Sequence, residues 1–332
     1  MNNKIKPLIF ILVVISFLLV SCKKTDSPLT YFKQSGYNYI DQLLVSGDNL
    51  WVLSSNPNNN ISTFLPVTPD YQLSVINMLN DQILINKEIP AITRFDLDNN
   101  MTPYLATYDK RVLKVNKNLS YDQLLEIPKI SYIQKMQFDN ENRLWIATNS
   151  GGLFFYNGID TARFNTSNSI LNSNSIQWMT MDSEFNIWFI QGTGLFKIDS
   201  NLTISKDPNL LPINNPTSAI FISADKNNAL WVSKADTYGE RLFKKDTNGP
   251  WTEITPPTSA YKRPLKFIKA DNNGTIWIAY SDYPKDILAY YDTNKWMEIK
   301  IPLDKVIILD AVTYKNQLIL GTSEGIYPMV LE

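Results

Sequence analysis

One phrase of this chain returns at a near-constant interval, and that interval limits what the chain can become. "DNENRLWIATNS" begins at Asp139, "DSEFNIWFIQGT" at Asp182, "DKNNALWVSKAD" at Asp225 and "DNNGTIWIAYSD" at Asp271. Aligning on the aromatic of each phrase gives anchors at Trp51, Tyr104, Trp145, Trp188, Trp231 and Trp277, with Ile319 in "QLILGTSEGIY" as a weaker seventh. The six steps between them run from 41 to 53 residues. Seven units of about 44 residues match the period of four-stranded propeller blades.

The grammar inside a unit agrees. In the third, "YIQKMQFD", "RLWIAT", "LFFYN" and "ARFNT" are short apolar or β-branched runs separated by Asn, Gly, Asp and Ser, the pattern of successive hairpins. The fourth repeats it with "SIQWMTMD", "NIWFIQ", "GLFKID" and "TISKD". No stretch after the N-terminal leader keeps a long 3.6-residue period, so almost no helix is expected. Extra residues between Phe64 and Ile89 read as an insertion in the first unit. The seventh unit, "VIILDAVTY", "LILGT" and "GIYPMVL", is one strand short, while "LTYFK" at Leu29–Lys33 precedes the first anchor as a spare strand. Borrowing it as an outer strand would remove the open seam of the ring. The expected fold is all-β: a single seven-bladed β-propeller over residues 29–332, its last blade closed by the N-terminal strand.

The N-terminus sets an expected location. Lys4 and Lys6 are the only charges before an apolar run from Leu8 to Val20, too short to span a bilayer as a helix. "Leu19-Val20-Ser21-Cys22" resembles the lipobox of bacterial lipoproteins, in which the cysteine is acylated and becomes the first mature residue; Cys22 is also the only cysteine of the chain. The resemblance implies a signal peptide at 1–21, a tether at 22–28 and, with Lys23 rather than Asp after the cysteine, an outer-membrane lipoprotein. Removing 21 residues from 332 leaves 311, and losing Lys4 and Lys6 takes the net charge from −1 to −3. Neither sign dominates, so nucleic acid is not an expected partner. An acylated Cys22 leaves no thiol for an intrachain disulfide, and stability must come from packing.

The repeats carry a further resemblance. "NSNSIQWMTMDSEFNIWFIQGTGLFKID" and "DNENRLWIATNSGGLFFYNG" are similar to two-component-regulator propeller repeats: an apolar strand, Asp, a turn with Gly, Leu-Trp-Ile-Gly-Thr, then Gly-Gly-Leu and an aromatic. Units three, four and six match well, one, five and seven in part, and two poorly. Asn often replaces the turn Gly, and the Gly of Leu-Trp-Ile-Gly-Thr becomes Ala147, Ile190 or Ala279. The resemblance implies a ring that senses or binds.

Two recurring residue types invite functional readings that the pattern itself answers. One tryptophan per unit at constant phase is what blade packing requires, whereas a sugar-stacking site would need only a few, clustered. Asp98, Asp139, Asp182, Asp225 and Asp271 open tight turns, where Asp bonds its own backbone, and no acidic partner recurs at calcium-loop spacing. The sialidase Asp box fails on spacing, since Asp225 and Trp231 are six apart. No metal and no cofactor are expected. The chain contains no histidine, which excludes Ser-His and Cys-His nucleophilic sites, histidine-ligated zinc, a phospho-accepting kinase histidine and lyases with a histidine base.

Loops on a rigid scaffold are where a ligand site is expected. "KADTYGER" (Lys234–Arg241) and "YSDYPKD" (Tyr280–Asp286) are the long second-to-third-strand loops, on adjacent blades linked by "PPTSAYKRP" (Pro256–Pro264). They point to a candidate ligand sector of Tyr238, Arg241, Tyr261, Lys262, Arg263 and Tyr283, suited to peptides, acidic groups or glycans, so that the expected partner is a glycan, a peptide or an envelope protein. The expectation is a membrane-anchored binding or scaffold module, with no catalytic residue assigned. The alternative is a carbohydrate-active enzyme using carboxylates or Tyr and Arg in the axial pocket.

Overall fold

The computed structural model describes residues 23–24, 37–56, 70–192, 194–208, 221–236, 239–247, 249–257, 263–271, 273–282, 284–292, 294–303 and 305–331. Strand β1 (Lys23–Lys24) is followed by seven runs of strands that form seven four-stranded antiparallel sheets, with no helix among the described residues. The first blade is β2 (Tyr39–Ser46), β3 (Asn49–Ser55), β4 (Tyr71–Asn77) and β5 (Gln82–Ile89); the second is β6 (Ile92–Leu97), β7 (Pro103–Thr107), β8 (Arg111–Val115) and β9 (Tyr121–Glu126). The third is β10 (Ile133–Phe138), β11 (Leu144–Thr148), β12 (Leu153–Tyr156) and β13 (Thr161–Phe164); the fourth is β14 (Met179–Met181), β15 (Ile187–Gln191), β16 (Gly194–Ile198) and β17 (Ile204–Lys206). The fifth is β18 (Ile222–Ala224), β19 (Leu230–Asp236), β20 (Gly239–Lys245) and β21 (Trp251–Ile254); the sixth is β22 (Leu265–Ala270), β23 (Ile276–Tyr280), β24 (Ile287–Asp292) and β25 (Lys295–Ile299). The seventh combines β26 (Ile308–Tyr314), β27 (Gln317–Thr322) and β28 (Gly325–Val330) with β1 on its outer edge.

The first strand of each blade faces the axis. β2 packs on β6 and, across the seam, on β26; β6 packs on β10, β14 on β18, β18 on β22 and β22 on β26. Burial follows position in the blade. Second strands β7, β11 and β23 are buried at every residue, because neighbouring blades cover both their faces. Outer strand β5 alternates between exposed and partly covered along nearly its whole length, since only one of its faces is packed.

The recurring Asp and Trp form one unit. Asp139 Oδ1 accepts the backbone N–H groups of Glu141 and Arg143, and Oδ2 accepts the indole N–H of Trp145 at 2.9 Å and the Arg143 Nε–H at 2.6 Å. Asp182, Asp225 and Asp271 repeat the two backbone bonds and take the indoles of Trp188, Trp231 and Trp277 at 2.7, 3.1 and 3.1 Å. The six-residue spacing is therefore the reach from the start of the turn to the second residue of the next strand. A carboxylate with three or four donors is satisfied by its own chain, so these residues are structural, as their sequence context suggests.

The turn also explains the Asn-for-Gly exchanges. The third residue after each Asp is left-handed: Met101 (φ 63°), Asn142 (62°), Phe185 (64°), Asn228 (61°) and Gly274 (74°). Asn tolerates that region and here also bonds the neighbouring turn: Asn142 Oδ1 accepts the Asn99 N–H, and Asn228 Oδ1 accepts the Ser183 N–H. Gly274 has a second reason, since a Cβ there would lie 2.4 Å from the Lys226 Cβ. The first blade has a shorter hairpin without the Asp, and the Trp51 indole nitrogen is buried without a partner.

Two expectations need correction. The chain does close its last blade with an N-terminal strand, but the described strand is Lys23–Lys24, paired with Val330 and Met329. It falls in the segment read as a tether, and Leu29–Lys33 lies outside the described residues. Within the supposed insertion between Phe64 and Ile89, Tyr71–Asn77 and Gln82–Ile89 are the third and fourth strands of the first blade. The poorly matching second unit is a regular blade, because Tyr104 fills the Trp position with 7% exposure and Asp98 makes the same backbone bonds. Across the seam Gly321 allows close approach: a Cβ there would stand 2.7 Å from the Ile40 Cγ2.

If Asp139 and Trp145 act as one clamp, Trp145→Ala should cost about 3–5 kcal/mol, the usual range for a buried aromatic. Asp139→Ala should cost about the same, because it leaves two turn N–H groups, the Arg143 Nε–H and the Trp145 indole N–H without their acceptor. Asp246→Ala, on an exposed turn, should stay within about 0.5 kcal/mol. Urea denaturation of the three variants checks the ranking.

Candidate functional site: the axial channel and its tyrosine rim

The innermost strands carry charge where an ordinary buried strand would not. Asp41 and Gln42 lie on β2, Arg94 and Asp96 on β6, Lys135 and Gln137 on β10, Lys266 and Lys269 on β22, and Asp310 on β26. A register shift interrupts five of these strands near their starts, next to Asp41, Thr93, Gln134, Lys266 and Leu309. Such bulges re-aim side chains beside functional sites.

Part of this charge stitches the ring. The Phe95 N–H donates to Gln42 Oε1, Phe138 N–H to Asp96 Oδ2, Ala224 N–H to Thr180 Oγ1, Ala270 N–H to Ser223 Oγ and Leu43 N–H to Asp310 Oδ2, each bond joining one blade to the next. Lys269 Nζ donates to both oxygens of Asp310 at 2.9 and 3.0 Å. Lys266 pairs with Asp286, whose Oδ2 also accepts the Ile308 N–H at 2.6 Å. On the third blade, the corresponding Gln137 leaves its Oε1 buried without a donor.

Lys135 shows that these groups converge. Burial, the largest cause, pulls its ammonium down to about 8; Asp96 and Asp310 act against this, and Lys269 and Arg94 add to it. A third-blade lysine that feels groups on the second, sixth and seventh blades must project into the axis. Burial likewise pushes Asp96 up to about 6, opposed by the Phe138 and Leu97 N–H groups and by Lys135. Asp41 rises to about 6 from burial, opposed by the Ser55 hydroxyl and Arg94. Asp41 is nevertheless open to water, and Asp96 and Lys135 are partly so. Protein on most sides with water still touching the group is the condition of a narrow channel.

Tyrosines surround the end at which the innermost strands begin. Tyr39 opens β2, Tyr71 opens β4, and Tyr108 and Tyr132 stand beside β7 and β10. Tyr108 and Tyr132 are 48% and 43% exposed, and the Tyr71 and Tyr108 hydroxyls lie 3.3 Å apart. Burial raises the Tyr71 phenol first, then its bond to Tyr108 and the Asp41 charge. Burial raises Tyr39 too, and after it the charges of Asp41 and Asp286, on opposite sides of the seam. On the fourth and fifth blades Trp178 and Phe221 pack in a tilted pair with centroids 4.7 Å apart. Trp178 is out of phase with the clamp tryptophans.

The sector expected on the fifth and sixth blades is only partly described. Tyr238, Tyr261, Lys262 and Tyr283 lie outside the described residues, as does Cys22. Arg241 is engaged by both oxygens of Glu253 on the neighbouring strand of its own blade, and Arg263 pairs with Asp282 at 2.9 Å. "KADTYGER" is not a long loop: it continues the β19–β20 ladder as far as Asp236 opposite Gly239. "YSDYPKD" begins at the last residue of β23, and its Asp286 pairs with Lys266. The axial residues lie on strands, not on the loops where the sequence places its aromatic and basic residues together. Their signal was charge inside short apolar strands, as in "YIDQLLV", "ITRFDL" and "LKFIKAD".

The fold and this channel define a class, the seven-bladed propeller with a polar axis. Solved structures of similar fold include a catalytically inactive histidine-to-alanine form of virginiamycin B lyase from Staphylococcus aureus with quinupristin (TM-score 0.69, 12% identity, covering 94% of this chain and 99% of that one). The extracellular domain of the putative hybrid two-component system protein BT3049 from B. thetaiotaomicron aligns at TM-score 0.62 and 16% identity, over 93% of this chain and 41% of that one. YCF48 bound to D1 peptide aligns at 0.59 and 9%, over 96% of both. At these identities the likeness is one of fold. The repeat resemblance to two-component-regulator propellers agrees with it. No protein-family model matches the chain, and no curated protein matches it.

A carboxyl whose pKa is higher folded than unfolded binds protons more tightly in the native state, so it costs stability as pH rises from about 4 to about 6. The stability of the wild type relative to Asp96→Asn should therefore fall across that window and level off above it. Urea midpoints of both proteins at a series of pH values check the sign; a rising difference would mean that Asp96 is held as a stable carboxylate.

Proposed function

We propose that this chain is an envelope-anchored binding module that takes its ligand at the tyrosine-rimmed mouth of the axial channel, on the side of the first three blades. The observation that carries this is the exposure of Tyr108 and Tyr132 at the end of the ring where Tyr71, bonded to Tyr108, feels the charges of Asp41 and Arg94. Rings that stay exposed next to desolvated charge offer both the stacking surface and the polar anchor that small sites use. The fifth-and-sixth-blade sector is the less favoured position, since Arg241 and Arg263 are engaged by carboxylates of their own blades.

Binding is favoured over catalysis by the state of the axial carboxyls. Asp41 and Asp96 are raised by burial, and neither owes its shift to a second carboxylate, as an acid pair would. Asp286 and Asp310 are tied to lysines. The lyase neighbour is catalytically inactive once one of its own histidines is replaced by alanine, and this chain has no histidine with which to do comparable chemistry. Another fold neighbour is bound to D1 peptide, so a ring of this kind accommodates a peptide ligand. Acylation at Cys22, supported by the lipobox-like Leu19–Cys22, would hold the ring at the outer membrane.

An array of glycans and peptides probed with the wild type, Tyr108→Ala/Tyr132→Ala and Tyr238→Ala/Arg241→Ala/Tyr283→Ala checks the assignment. The first variant should lose binding and the second keep it, both with melts within a few degrees of wild type. The reverse pattern moves the site to the fifth and sixth blades. Hydrolysis of an array glycan, lost in Asp41→Asn, would replace binding by the glycosidase alternative. In cell fractions, Cys22→Ser should move from membrane to soluble; a variant that still pellets is anchored by something else.

A further inference from the structure

Arg94 and Lys135 occupy the same register position on adjacent innermost strands, opposite Ala106 and Ala147. The other two axial cations are neutralised, Lys266 by Asp286 and Lys269 by Asp310. Arg94 spends Nε and Nη1 on the carbonyl oxygens of Gln134 and Thr93, and no carboxylate lies within ion-pair range of it among the described residues. Lys135 has no direct hydrogen bond or ion pair among the described residues, and Asp96 and Asp310 act on it only through their charge. Asp41 likewise acts on Arg94 only through its charge and not through a direct bond. The donors of both cations therefore lack the directly bonded carboxylate that Lys266 and Lys269 have, an arrangement that a bound anion completes.

We infer that Arg94 and Lys135 together receive a carboxylate at the end of an unbranched chain, as at a peptide C-terminus. The inference rests on the proposed mouth site and names the chemistry of its ligand. The cations stand within the ring of innermost strands, below the tyrosine rim, so the anion must arrive on a narrow chain. A carboxylate on the side of a pyranose ring would bring the whole ring with it. Arg94 offers a guanidinium edge and Lys135 a compact ammonium, so the carboxylate oxygens can each take a charged donor. The tyrosines above, Tyr39, Tyr71, Tyr108 and Tyr132, then flank the residues that precede the terminus.

The test uses acetyl-trialanine with a free C-terminal carboxylate, the same peptide as its C-terminal amide, and trigalacturonate, each titrated into the full mature chain. The readout is the pKa of the Lys135 ammonium by NMR, together with calorimetric affinity. The acid peptide should raise the Lys135 pKa and bind at least about tenfold more tightly than the amide. Lys135→Met and Arg94→Gln should each lose that preference for acid over amide, and Lys135→Arg should restore part of it. Lys135→Met also takes a cation from beside Asp96, so the control is the acid–amide comparison within each variant: a damaged fold would weaken both peptides alike, whereas loss of the anion site weakens only the acid. Equal binding of acid and amide overturns the carboxylate assignment while leaving the mouth site standing. So does trigalacturonate binding that depends on Tyr108 and Tyr132 but not on Arg94 or Lys135. No change at Lys135 with any of the three probes overturns it as well, and an array ligand that still needs Tyr108 and Tyr132 would then show the mouth site to be sound.

Discussion

The carboxylate-to-indole clamp at the foot of the blades is the interaction on which the rest depends. Four aspartates each hold the two backbone N–H groups of a tight turn with one oxygen and a tryptophan N–H with the other. The first task fixes the hairpin between the two inner strands. The second fixes the rotamer of the largest side chain in the blade, which sits between sheets. A seven-membered ring tolerates little error per member, because an angular misfit repeated seven times would leave a gap or an overlap at the seam. A polar bond to a ring otherwise held only by nondirectional packing supplies that angular definition.

Once the clamps fix the foot of each blade, the axis can hold groups that would be costly elsewhere. Innermost strands have no neighbour on their axial edge, and their unpaired N–H groups need acceptors. Side chains from the preceding blade provide them at Phe95, Phe138, Ala224 and Ala270, and across the seam at Leu43. The same positions therefore have to be polar, and at Asp96 and Asp310 they are charged. The polar axis is thus partly a consequence of closing the ring. What closure does not demand is the pair of cations at Arg94 and Lys135, neither bonded directly to a carboxylate, or the exposed tyrosines above them.

The division between what the sequence displayed and what it concealed follows the same line. The clamp recurs from blade to blade, so Asp139, Trp145 and their counterparts stood out as a period and carried the blade count with them. Even the weak anchors Tyr104 and Ile319 are buried at the expected positions. The axial residues do not recur: Gln42, Asp96, Thr180, Ser223 and Asp310 perform one task with four residue types, and no alignment of units would single them out. Arg241 and Arg263 looked available because a sequence cannot show that Glu253 and Asp282 lie opposite them. The closing strand was legible as a need, from the strand missing in the seventh unit. It was not legible as a position, because Lys23–Lys24 has no apolar pattern and joins the sheet through its backbone.

The measurement that bears most directly on this account is native-state amide hydrogen exchange, which reports the free energy of opening at each N–H. The amides of Arg143, Asn186, Ala229 and Thr275, which donate to the clamp carboxylates, should exchange only through global unfolding. Those of Ser131 and Tyr132, bonded to the Asn149 side chain at the exposed rim, should open with far less free energy. Clamp amides that exchange as readily as rim amides would contradict the claim that the clamps are the frame on which the axial site is held.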